Sequence, residues 1–217
     1  MLPPPPPKSN AGKTWGIIGA IVGVLVIGSV ASAVVFSGRG SGGGSGGHAG
    51  PKYRITVPQT LAGGEYKLAK DISQQAAESV PSDGSNEHGM KAVGGQYTSG
   101  TQSLVMLGLY GTIDDPERAV DSAIGGMTKN VDTEVAVAEK KFTPSGGGDS
   151  LTCGVDVKTQ AGQKITLGFC VWADYSTSGS VAETDAAELG KDPASVDLQA
   201  FADRADKIRT EVKKPLG

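Results

Sequence analysis

The chain has 217 residues, a formal net charge of −3 and only 5% aromatic residues. All 23 acidic residues follow position 50, whereas only Lys8, Lys13 and Arg39 of the 20 basic ones precede it. No basic stripe interleaved with aromatics occurs, and an acidic surface repels phosphate, so the pattern argues against a nucleic-acid partner.

Residues 1–14 (MLPPPPPKSNAGKT) form a short tail whose five consecutive prolines favour an extended, solvated polyproline II conformation. Pro3 to Pro7 suit a proline-binding groove, although such a run is also common in low-complexity tails. Gly12-Lys13-Thr14 matches the end of a phosphate-binding loop, but Pro7 stands where the motif needs glycine and no strand precedes it.

Residues 15–36 (WGIIGAIVGVLVIGSVASAVVF) contain no charge. A helix rises about 1.5 Å per residue, so about 20 such residues cross a hydrocarbon core of about 30 Å. The spacing predicts one transmembrane helix in contact with membrane lipid. Lys8 and Lys13 on one side against Arg39 on the other place the tail in the cytoplasm and the rest outside the cell membrane. Ala31-Ser32-Ala33 also fits a signal-peptidase site, which would release the protein, but the apolar run continues through Val34, Val35 and Phe36 as an anchor does. Gly19 and Gly23 form a GxxxG pair that would let two spans approach closely as a homodimer.

Residues 37–51 (SGRGSGGGSGGHAGP) read as a flexible linker with a reach of about 20 Å. The Gly43-Gly44-Ser45-Gly46-Gly47 match to a nucleophile elbow lacks the flanking strand and helix that would give it meaning. Residues 52–217 then suit one extracytoplasmic domain with a core of its own.

Within this domain, residues 53–57 alternate as a short strand ended by Pro58. Residues 65–80 predict a helix with Leu68, Ala69, Ile72, Ala76 and Val80 on one face. Residues 92–98 and 104–111 predict paired strands, the second central because it is the more apolar. Asp115-Pro116 caps a helix running to about Ile124, stopped by Gly125-Gly126, and residues 134–140 give another strand. This βαββαβ order is that of a ferredoxin-like split unit. Residues 151–158 and 165–172 predict a hairpin turning at Ala161-Gly162, residues 176–183 a further strand, and residues 196–214 a C-terminal helix buried through Leu198, Phe201, Ala205, Ile208 and Val212. The expected class is α+β, a mostly antiparallel sheet packed by about three helices.

Cys153 and Cys170 lie on the two strands of that hairpin. A two-residue turn makes them direct partners, and an exported setting favours a disulfide. The apolar pattern conflicts with this register, because Val155 and Val157 would share a face with Gly168 and Thr166 while Leu167 and Phe169 point away. A bulge at Gly154 would reconcile the two. The spacing differs from the C-x-x-C of a redox-active dithiol.

Candidate chemistry is sparse. Asp83, Asn86, Glu87 and His88 in the polar loop 82–89 offer cation ligands, yet their spacing fits neither a calcium loop nor a zinc site. His88 is the domain's one histidine and sits among turn formers, an unlike setting for a Ser-His-Asp triad. Asp114-Asp115 reads as helix capping. No catalytic, metal or cofactor-binding residue is assigned, and a non-enzymatic protein is expected. Trp172-Ala173-Asp174-Tyr175 either covers the core edge or presents a binding face.

Tyr66-Lys67-Leu68, Gln96-Tyr97-Thr98, Tyr110-Gly111, Cys153, Cys170-Val171-Trp172-Ala173-Asp174 and Arg209-x-x-Val212-Lys213-Lys214-Pro215 together resemble a group of uncharacterised actinobacterial single-pass membrane-anchored proteins with a proline-rich tail and an exported α+β domain. The resemblance implies no activity. The expected function is a membrane-tethered binding or interaction module of the cell envelope with a protein partner, the alternative being a sensor signalling through the tail and the third reading a cleaved secreted protein or an enzyme.

Overall fold

The computed structural model describes residues 53–128, 132–160 and 162–216. The tail, the 15–36 stretch with Gly19 and Gly23, and the linker lie outside these residues. Among the described residues no helix is long and apolar enough to cross a membrane.

The described chain is α+β. Ten strands run β1 (Tyr53–Ile55), β2 (Thr60–Leu61), β3 (Tyr66–Asp71), β4 (Glu87–Ser99), β5 (Gln102–Ile113), β6 (Thr133–Phe142), β7 (Leu151–Gln160), β8 (Gln163–Ala173), β9 (Thr177–Asp185) and β10 (Lys213–Pro215). Three helices join them: α1 (Ser73–Ser79), α2 (Pro116–Thr128) and α3 (Leu198–Val212). Eight strands form one antiparallel sheet in the order β2-β3-β4-β5-β9-β8-β7-β6, and β1 pairs separately with β10.

The ferredoxin-like expectation fails here. β4 and β5 are a direct hairpin, β6 lies at the far edge, and β1 leaves the sheet to meet the C-terminal strand. β5 is nevertheless central, as its apolar run predicts.

The helix predicted over 65–80 divides in two. Tyr66 and Leu68 belong to β3, which pairs with β4 through Lys67↔Thr98 and Leu68↔Tyr97. The Asp71 carboxylate accepts from the Ser73 amide at the turn, and only Ile72 and Ala76 keep the buried side of the short α1. An isolated helix of this length is marginal, so pairing with an available sheet edge outweighs a weak helical period. The helix α2 runs past Gly125-Gly126 to Thr128, because Met127 packs with Ile124, Phe169 and Val171 under the sheet. Packing outweighs a helix cost of about 1 kcal/mol per glycine. At Asp192-Pro193 the chain makes a short 3-10 turn, and Asp197 caps α3 by accepting from the Ala200 amide.

The β7–β8 hairpin takes the disulfide register. Cys153 faces Cys170 with Cα atoms 4.1 Å apart, and the two are bonded. The ladder runs unbroken, with no bulge at Gly154; the irregularities fall instead between β6 and β7. The apolar conflict dissolves because both faces of the hairpin are covered. Cys153, Cys170 and Trp172 face α3, while Phe169 and Val171 face α2. Gly154 serves close approach, since a Cβ there would lie 2.8 Å from the Phe169 ring.

The molecule therefore has three layers. On one face α3 buries Phe201, Ala202, Ala205, Ile208 and Val212 against the sheet, beside the β1–β10 ribbon. On the other face α1 lies over β4, and α2 over β8 and β9.

Candidate functional site

The space between α1 and α2 is not filled. The central strands carry Val105, Leu107 and Leu109 of β5, Ser178, Ser180 and Ala182 of β9, and Leu167 of β8 to this face, every second residue as a strand requires. Ala76, Ser79 and Val80 of α1 form one wall, and Ala123, Gly126 and Met127 of α2 the other. They line a partly open, mostly apolar cavity of about 140 Å³. Ala76, Ala123 and Gly126 have side chains too short to fill it.

One acid lies on this wall. Asp156, on β7 opposite Leu167, is 1% exposed, and its Oδ1 has no hydrogen-bond partner. Burial pushes its carboxyl up to about 6, and the like charge of Glu139 adds to the rise. Such a carboxylate is ionised at neutral pH but incompletely solvated, which makes it a strong acceptor waiting for a donor. The sequence carries a signal for it. A lone acid between Val155 and Val157, in the register that pairs the cysteines, stands opposite Leu167 in an apolar row. Detecting the cavity needs the spatial order of β9, β8 and β7, which the sequence does not print.

The polar residues singled out by sequence lie elsewhere. Asn86 and Glu87 are buried rather than solvated. Asn86 Oδ1 accepts from the Asp115 amide at 3.0 Å, and its Nδ2 donates to the Asp115 carbonyl and to Glu87. This clamps the start of α2 to β4. Asp115 Oδ1 accepts from the amides of Glu117 and Arg118, the capping that its sequence suggests. Asp83 accepts from the Gly89 amide, and His88 pairs with Asp114 at 3.1 Å on the surface. Among the described residues no group of three His, Cys, Asp or Glu side chains is placed to hold a metal.

Trp172 is 2% exposed and lies flat over Gly179, where a Cβ would come within 2.2 Å of the indole. The core-covering reading therefore holds for Trp172, while Tyr175 is exposed. Asp174 is a structural hub. It accepts from the amides and hydroxyls of Ser176 and Thr177 and from Lys213 Nζ at 2.5 Å. Burial alone would raise its carboxyl, but Lys213 and these donors hold it below the usual carboxylate range. Lys213 also lies 4.3 Å from the centre of the Tyr53 ring, tying β10 to β1.

A second polar cluster lies at the α3 face. Tyr66 Oη donates to Glu183 at 2.6 Å, and Arg204 reaches both Glu183 and Glu65. Burial first, then the hydrogen bond to Glu183, pushes the Tyr66 hydroxyl far up, so it remains a proton donor in this pair. The two carboxylates share the one guanidinium, an arrangement that holds β3 and α3 to β9.

No protein-family model, curated protein or solved structure matches the chain.

Proposed function

We propose that the protein is a membrane-tethered, extracytoplasmic binding module of the cell envelope, whose binding site is the apolar cavity between α1, α2 and the sheet. The cavity carries this reading. Its walls are mostly apolar and carry one buried carboxylate, Asp156, the composition of a small-molecule site. The uncharged stretch 15–36, the basic tail before it and the disulfide support the tether and its orientation. A Gly/Ser-rich composition over 37–51 suits a tether rather than a rigid connection to the tail. A sensor working through Pro3 to Pro7 would therefore need a recruited protein partner. Homodimerisation through Gly19 and Gly23 is compatible with the tether and independent of the cavity.

Protease added outside spheroplasts tests both parts at once. Cleavage within 37–51 should release the domain, and native mass spectrometry of the fragment should find it heavier than its polypeptide. Ala123→Trp, which fills the cavity, should restore the bare mass. Protection from external protease would contradict the orientation. A bare mass in the unsubstituted protein would contradict the binding reading.

A further inference from the structure

The cavity has one chemically unfinished wall. Asp156 is almost wholly buried, lines the cavity and leaves Oδ1 without a donor. The charge that acts most on it is the Glu139 carboxylate, of like sign. Lys158, two positions along β7, also lines the cavity but is partly exposed, and among the described residues no ion pair joins it to Asp156. Folding has thus already removed water from an anion and given it no counter-charge. A ligand that brings a cation meets a carboxylate already largely stripped of water, so less of their attraction is spent on desolvation.

We propose that the cavity selects a small amphiphilic amine, with an aryl or short alkyl body lying between α1 and α2 and its ammonium against Asp156. This rests on the cavity being the binding site. The size follows from the volume, because an apolar cavity of about 150 Å³ admits benzene, and this one is close to that. The charge follows from Asp156 and Glu139 together. A fatty carboxylate would set a third anion beside them, and a neutral alcohol would supply a donor without a counter-charge.

The full-length chain, labelled at its methionine methyl groups and held in phosphatidylcholine nanodiscs at pH 7.5, can be titrated with n-hexylamine, n-hexanol or hexanoate. Met127 lines the cavity, whereas Met106 is buried on the α3 face and reports nonspecific change. Hexylamine should shift the Met127 methyl saturably and at least about tenfold more tightly than hexanol, with hexanoate weakest. In Asp156→Asn the amine should fall to within about threefold of the alcohol. The exposed Glu139→Gln, which leaves the wall intact, should weaken the amine by about two- to threefold. Equal affinity for amine and alcohol in the unsubstituted protein overturns the proposal, as does an amine preference that survives Asp156→Asn or is unmoved by Glu139→Gln. If hexanol binds as well as the amine, the cavity stands and the amine fails. If none of the three shifts Met127, both fall.

Discussion

One buried and one half-buried acid act on stability with opposite signs. The folded value of Asp156 lies near 6, above its ordinary value near 3.8. The native state therefore holds a proton between these values that the unfolded chain releases. Stability from this group falls as pH rises from about 4 to about 6, and the cost is fully present above that. Asp156→Asn should stabilise the protein by on the order of 1–3 kcal/mol at pH 7.5 and by little at pH 4, measured by urea denaturation. An equal change at both pH values would contradict the assignment. Asp174 works the other way, because its folded value is depressed by Lys213 and the Ser176–Thr177 donors despite its burial. Its contribution is present above the unfolded value and is lost as pH falls through the folded one. Lys213→Ala should cost on the order of 1–2 kcal/mol at neutral pH and progressively less in acid. A loss that does not shrink with falling pH would speak against the ion pair.

At the level of elements, the β7–β8 hairpin is the clearest case of structure legible in sequence. The numbers of Cys153 and Cys170, counted from the turn, point to the pairing that the structure shows, while the apolar pattern leaves the register open. What misled was the assumption of one buried face. The hairpin is sandwiched by α2 and α3, so alternate residues on both sides are apolar. Helix and strand were confused over residues 65–80 for a related reason, since a short apolar period takes its meaning from the sheet edge beside it. α2 is legible through its Asp115 cap and α3 through its stripe, of which Phe201, Ala205, Ile208 and Val212 are buried and Leu198 partly so. Replacing both cysteines with serine should lower stability by about 3 kcal/mol, the chain-entropy value for a loop of 17 residues. Calorimetry comparing oxidised, reduced and double-serine forms measures it, and a loss below about 1 kcal/mol would make the bridge incidental. Gly179→Ala should push the Trp172 indole from its seat and cost about 1–3 kcal/mol, with a red shift of tryptophan fluorescence.

For the whole molecule, the residues that carry the resemblance lie largely in the scaffold. Tyr66, Tyr97, Cys153, Cys170, Trp172 and Val212 are all fully or almost fully buried in the cluster beneath α3. Asp174 and Lys213 join the two ends of that scaffold, so two motifs far apart in sequence are one contact in space. The cavity lies on the opposite face, lined by Ala, Ser, Val, Leu and Gly that have no motif character. That is why the sequence reveals a disulfide-bonded α+β frame but not the cavity. Four inter-strand steps separate β4 from β7, and only the three-dimensional order brings Asp156 to the same space as Ala76.

The most direct test of the binding account uses a neutral probe, independent of the charge on Asp156. Benzene titrated into the full-length protein, read at the methionine methyl groups, should shift Met127 saturably and leave Met106 in place. Ala123→Trp should abolish the shift without unfolding the domain. A Met127 resonance that does not move, or that moves equally in Ala123→Trp, would contradict the central claim that the space between α1, α2 and the sheet is a binding site.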